Sequence, residues 1–461
     1  MSTFSRLLPL GVTVVSLVLP TLQHQAAEIE PSYQELSLDG PSVAVETKPF
    51  AMVGITWPVG VQAVQAKVRV QQNGQWSDWE SLTVEDEHGP DPSVPEGIER
   101  SGTEPLWVSN ATGVQASALT SDGTSVADAK VVLIQPGVLA GDSFEPPDAQ
   151  ASASGTPYPM PAMASRKQWG ADERLRSHNG AACARPKYTQ TVMAAFVHHT
   201  ADRNDYSRTQ VAAMVRGMYA YHVKSRGWCD VGYNFLVDRF GRVFEGRYGG
   251  AQLPVLGAHT GSFNTNSFGI ALIGNFEKAG PTQAMLEKTA RVIAWKFDAY
   301  YRSPKSTVVL GGTKLLSISG HRDTKATACP GAQLYKQLPW LRHRVDVLMG
   351  GSVATPIYRF ALKLGLRAVG PPFWGEHRTR TGWATYFAHR DIFYSVATGP
   401  HSTVGMFRSR YRSLGAERSR LGLPTTEVYK MTGGSRQRYQ HGWLNYNQSR
   451  RTITVQYRSS P

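Results

Sequence analysis

Between residues 41 and 135 apolar and polar positions alternate in short runs. Val64, Ala66, Val68 and Val70 interleave with Gln65, Lys67, Arg69 and Gln71, the period of two expected of a half-buried strand. Asn73-Gly74 and Asp122-Gly123 break the runs as turns, and Val131 to Ile134 adds a further apolar strand. The pattern predicts an antiparallel β-domain over residues 28–136, of sandwich type. Trp76 and Trp79 in "WSDW" sit where hairpin tryptophans usually pack rather than contact carbohydrate.

The pattern changes twice further on. Residues 137–164, including "PPDAQASASGTPYPMPAMA", carry no period and read as a linker. From 165 to 350 both periodicities occur. "TVMAAFVHH" and "FGIALIGNF" predict buried strands, and "YNFLVDRFGRVFEGR" a hairpin turning near Asp238 to Gly241. Ser207 with Gln210 has the form of a capping box ahead of Val211, Met214, Val215, Met218 and His222, and Gly227 ends that segment. A second helix follows Pro281, with Leu286, Ala290, Ile293, Phe297 and Tyr301 on one face. Strands alternating with helices predict a central α/β domain, a mixed β-sheet flanked by helices. Residues 356–461 then repeat themselves. An offset of 52 superposes "VGPPFWGE" on "LGLPTTEV" and pairs Gly382 with Gly434, Phe387 with Tyr439, His389 with His441, and Tyr394 with Tyr446. Two copies of one compact, β-rich and turn-rich unit are expected, with few helical signals.

The N-terminus and the charge narrow the setting. Arg6 precedes an apolar stretch from Leu7 to Leu22, and small residues stand at Ala26 and Ala27, which predicts a signal peptide over residues 1–27. The competing reading is an uncleaved anchor. Nothing later is apolar for long enough to span a membrane. The net charge of +14 is unevenly distributed. Residues 28–148 hold 19 acidic against 5 basic residues, and residues 356–461 hold 17 basic against 4 acidic. The tail therefore favours anionic surfaces. Nucleic acid fits that charge, but export points instead to wall polymers or lipid head groups, and no nucleic-acid partner is expected.

Export also permits disulfides, and the chain has 3 cysteines. Pairing Cys183 with Cys229 leaves Cys329 over. Cys329 closes "GHRDTKATACPG", where His321 lies eight positions earlier, and His198 ends the first buried strand of the middle domain. Two imidazoles and a thiolate would make a catalytic zinc site with one open position. A disulfide through Cys329 and a reactive thiol with His321 as its base are the alternatives. Because strand neighbours point to opposite faces, only one of His198 and His199 should serve such a site.

Five ordered blocks, "SRKQWGADE", "FVHHTA", "GWCDVGYNFLVDRFGRVFEGR", "GAHTGSFNTNSFGIALIGNF" and "GHRDTKATACPG", resemble the type 2 N-acetylmuramoyl-L-alanine amidases, whose blocks recur in peptidoglycan recognition proteins and phage amidases. The resemblance implies one Zn2+ per chain held by His198, His321 and Cys329, and hydrolysis of the amide between N-acetylmuramic acid and L-alanine of peptidoglycan. It places the catalytic tyrosine on Tyr233. Thr327 stands where some phage members have lysine, and with Tyr233 it is a catalytic candidate that donates a hydrogen bond to the oxyanion. Tyr233 is the first candidate for moving the proton to the leaving amine and Glu245 the second, although Glu245 beside Arg247 also suits a structural ion pair. His259 and Asn264 are assigned to the substrate groove, and Arg247 to a stem-peptide carboxylate. His199 and His222 are left to packing, and Arg322 with Asp323 to orienting the loop. The rival of the same fold is a recognition protein that binds peptidoglycan without cutting it, but such relatives usually lack the thiolate or the first histidine. "LGLPTTE" and "YQHGWLNYN" resemble LGFP repeats, which implies anchoring to an envelope polymer at the cell wall. The first copy departs from the motif at "VGPP".

Overall fold

The computed structural model describes residues 29–458 apart from 39, 41–42, 85–87, 95, 98–99, 146–157 and 351–354. The predicted signal peptide and the middle of the predicted linker lie outside the described residues.

In the N-terminal domain eight strands form one antiparallel sheet, not the two separate sheets of a sandwich. Two long strands, Val43–Pro58 and Leu106–Leu119, account for the difference. Irregularities near Glu46 and Phe50 shift their register, and a bulge bends a strand and increases its twist. One core of Phe50, Val53, Trp57, Val68, Val114 and Leu133 results.

The middle domain is built on a five-stranded sheet. We label its strands β1 (Ala194–His199), β2 (Phe235–Val237), β3 (Val243–Glu245), β4 (Ser267–Leu272) and β5 (Ile318–Gly320). Their order is β3-β2-β4-β1-β5. Only the β2–β3 hairpin is antiparallel; the other pairings are parallel. Helix α1 spans Val211–Ala220, α2 Gln283–Ala299 and α3 Leu338–Leu348. Thr282 caps α2, its hydroxyl accepting from the Met285 N–H. Only half of the expected capping box forms before α1. The Gln210 side chain accepts from the Ser207 N–H at 2.7 Å, but the helix begins after Gln210 with no side-chain cap. α2 and α3 bury Ile293, Phe297 and Leu341 against β1 residues Ala195 and Val197. α1 covers the other face and shares a core with the N-terminal domain, in which Met52, Trp107 and Ile134 meet Met214 and Met218. The two domains are therefore joined by apolar burial, the main favourable term in association.

The ends of the linker are not loose. Tyr158 donates its N–H to Asp298, and Ala164 bridges to Phe244 and is fully buried. Composition conceals this because a few anchoring residues suffice. Cys183 and Cys229 are bonded to each other, and Cys329 stands apart, buried.

The tail contains two four-stranded antiparallel meanders, over 372–404 and 429–457. Contrary to the helix-poor expectation, nine-residue helices precede them, Pro356–Leu364 and Gly405–Ser413. The duplication extends to close contacts. A Cβ on Gly382 would strike the Tyr394 carbonyl oxygen, and one on Gly434 the Tyr446 carbonyl oxygen, 52 positions later in each case. Gly434→Ala is therefore expected to lower the stability of the second meander by about 2 kcal/mol, read as an earlier transition in scanning calorimetry.

Candidate functional site

Because β1 and β5 are parallel neighbours, their carboxyl ends open together, the usual place for a site in a parallel sheet. His198 occupies that end of β1, and His321 follows β5 directly. Alternation along β1 sends Ala195, Val197 and His199 toward the α2 side, where His199 Nδ1 accepts from the Phe276 N–H at 3.3 Å. His198 faces the other way. The loop after His321 returns Cys329, and its Sγ lies 3.6 Å from His198 Nδ1. Donor atoms of His198, His321 and Cys329 all fall within 4.8 Å of one another, and all three side chains are buried.

The surroundings suit a metal of the zinc type. His198 Nε2 and His259 Nδ1 share a hydrogen bond of 3.1 Å, which leaves His198 Nδ1 for the thiolate side. The His199 N–H points at Cys329 Sγ, 3.4 Å away, and the Cys329 N–H is held by Thr327 Oγ1 at 3.1 Å. Burial and the neighbouring His321, His259, His88 and His199 hold the His198 imidazole well below its ordinary range. Neutral imidazoles with lone pairs are what a metal requires.

The other predicted site residues divide. Tyr233 is fully buried; its hydroxyl donates to the His199 carbonyl at 3.4 Å, and its ring lies 5.5 Å from that of His198. His259 does not line a groove. It is wholly buried behind His198, with Gly257 and Gly269 so close that a Cβ on either would collide with its ring. Its hydrogen bond orients His198, and removing such a partner of a metal-binding histidine typically costs 10–100-fold in metal affinity. His259→Ala is expected to fall in about that range, measured by zinc competition with a chromogenic chelator. Asn264 is also wholly buried, its Oδ1 accepting from the His259 and Thr260 N–H groups.

Glu245 is ill placed to move a proton. It lies on β3, three strand spacings from β1, or roughly 14 Å, in the company of Arg166 and Glu173. Nor does it pair with Arg247, whose buried guanidinium binds Glu96 of the N-terminal domain. His222 accepts from the Gly232 N–H and stacks on Trp228 at 4.5 Å. Asp323 ties down its loop through the Gly320 N–H and Tyr335.

Sequence reasoning does not pick out His88. This N-terminal-domain residue lies beside the cluster, with Nδ1 2.8 Å from Glu104 and 3.4 Å from the Tyr233 hydroxyl. Burial and Arg226 push its imidazole down to about 3, and burial pushes Glu104 up to about 7. The contact is thus a neutral N–H donated to a carboxyl group.

The family model described as N-acetylmuramoyl-L-alanine amidase matches residues 188–332, and one described as Rv3811 N-terminal galactose-binding domain-like matches residues 20–150. Peptidoglycan recognition protein 1 of Bos taurus is 32% identical over 189 residues, covering 40% of this chain and 85% of the relative. Peptidoglycan-recognition protein SC2 of Drosophila melanogaster is 29% identical over 174 residues, covering 38% and 83%. Among solved structures, Drosophila PGRP-LB is 28% identical with a TM-score of 0.30, over 38% of this chain and 91% of that one.

Proposed function

Because this chain belongs to the family of N-acetylmuramoyl-L-alanine amidases and peptidoglycan recognition proteins, we propose that it is a zinc amidase that cleaves peptidoglycan between N-acetylmuramic acid and L-alanine. The observation that carries this reading is the buried His198, His321 and Cys329 cluster at the ends of adjacent strands. A zinc ion held there supplies a Lewis acid and lowers the pKa of a water toward neutrality.

The chain's own residues do the rest. His259 fixes the tautomer of His198, and the His199 N–H stabilises the Cys329 thiolate. Tyr233, whose ring lies 5.5 Å from that of His198, is the first candidate to donate its hydroxyl to the oxyanion that forms at the cleaved carbonyl, and Thr327 is the second. With Glu245 too far away, Tyr233 is also the candidate for carrying the proton to the leaving amine. The C-terminal repeats, rich in arginine and resembling LGFP units, hold the exported protein at an anionic polymer of the cell wall. Among the described residues no helix is long and apolar enough to cross a membrane.

A thiol hydrolase would use Cys329 with His321 or His198 as its base, both of which lie in the same cluster. Metal analysis separates the two chemistries. The zinc reading expects about one zinc per chain, activity lost on chelation and regained with zinc. A chelator-resistant activity abolished by alkylating Cys329 would replace it with the thiol enzyme. A protein that retains zinc and binds peptidoglycan but never cuts it would be a recognition module.

A further inference from the structure

A catalytic zinc with three protein ligands keeps its fourth position for water, yet here that side of the cluster is covered by the N-terminal domain. His88, 4% exposed, brings its ring to 5.4 Å from that of His198 and 5.6 Å from that of His321, while the His198 and His321 rings are 4.8 Å apart. The His88 ring lies nearly parallel to that of His198, so it covers the cluster from outside the group formed by the His198, His321 and Cys329 donor atoms. Its Nδ1 donates to Glu104 at 2.8 Å, which fixes the ring. Its Nε2 is buried and meets no hydrogen-bond partner among the described residues, a costly state for a polar atom unless something occupies it.

The N-terminal domain is fastened to the middle domain on both sides of His88. The Gly89 carbonyl accepts from Asn264 Nδ2 at 2.9 Å and from the Gly261 N–H at 3.2 Å. Glu96 places its carboxylate on Arg247 and accepts from the Cys229 N–H at 3.0 Å. Trp107 donates its N–H to Asp202 at 2.8 Å, and Tyr221 reaches the Ile55 and Thr103 carbonyls. With His198 and His321 both 0% exposed, no wall polymer reaches the cluster in this arrangement.

We propose that His88, held by Glu104, and the N-terminal segment around it cap the metal centre, closing the approach that water and substrate need, while Glu96 ties that segment to Arg247. The chain as folded here is a latent form, opened by withdrawing the segment that carries His88. This inference rests on the metal-centre reading above.

The test is cobalt(II) substitution of the full-length chain, read by visible absorption and by titration with azide. The wild-type chain should bind azide at least tenfold more weakly than His88→Ala, in which the metal centre is open to solvent and the absorption spectrum should shift accordingly. Glu96→Gln and Glu104→Gln, which leave His88 in place, should move azide affinity in the same direction, so the result does not depend on how well the His88 variant folds. Turnover of peptidoglycan should rise at least tenfold in His88→Ala. Identical spectra and azide affinities in the wild-type chain and all three variants would overturn the proposal. If Cys329→Ala takes up cobalt with the wild-type spectrum, the metal centre itself is misassigned, an outcome distinct from failure of the His88 inference alone.

Discussion

Cys329→Ala is expected to lose its zinc and to cut peptidoglycan at least a thousandfold more slowly, equivalent to about 4 kcal/mol of transition-state stabilisation. The thiolate is the only anionic member of the His198, His321 and Cys329 set. Without it a doubly charged ion would sit among neutral imidazoles in a buried pocket, where an uncompensated charge is expensive. The backbone donor aimed at the sulfur would lose its acceptor as well. Zinc analysis after dialysis and thermal unfolding with and without added zinc both report the change, because a metal that binds only the folded chain stabilises it by mass action. Zinc should raise the unfolding temperature of the wild-type chain and leave that of the variant where it is. A Cys329→Ala chain that retains one zinc and full turnover would show that the sulfur is not a ligand.

Tyr233→Phe should be the cleanest loss of catalysis without loss of metal. The ring packs in the core shared with α1 and lies beside the rings of His198 and His88, while the hydroxyl reaches polar partners, the His199 carbonyl and His88 Nδ1. Removing the oxygen keeps the packing and deletes one donor. Loss of a single oxyanion donor typically costs roughly 10²–10³ in kcat, and that range is expected here with zinc content and KM little changed. The measurement is best made in a His88→Ala background, in which Tyr233 is not held by the N-terminal segment. An unchanged kcat would remove Tyr233 from the chemistry and leave Thr327 as the remaining candidate donor.

Much of this site can be read along the chain because its signals are local. "FVHHT" is a buried strand that ends in one histidine facing the His321 and Cys329 cluster and one packed the other way, and alternation alone separates their faces. The loop from His321 to Cys329 is dense in turn residues, and the repeat in the tail is visible as identities at one offset. What stays hidden depends on how domains meet. Met52, Trp107 and Ile134 read as the β-domain's own core, yet they bury against α1, and hydrophobic periodicity does not distinguish the two. His88 is a lone histidine after an acidic run, 110 residues before His198 in the numbering, and nothing local marks it. Arg247 finds Glu96 across a separation of 151 residues rather than the nearby Glu245. His259 reads as a groove residue because "GAHTG" looks like an exposed loop. Gly257 is instead a close-approach position against the buried imidazole. The second short helix of the tail, Gly405–Ser413, is hard to see because arginines and serines interrupt its apolar face.

The central claim, a metal-dependent amidase acting on the muramoyl–alanine bond, is tested most directly by mass spectrometry of the fragments released from purified peptidoglycan. The wild-type chain and His88→Ala would each be assayed as prepared, after chelation, and after zinc is returned. The account predicts stem peptides with a free L-alanine amino terminus, in greater yield from His88→Ala, lost on chelation and restored by zinc. Release that survives chelation, or the absence of such peptides from both chains under every metal condition, would contradict it.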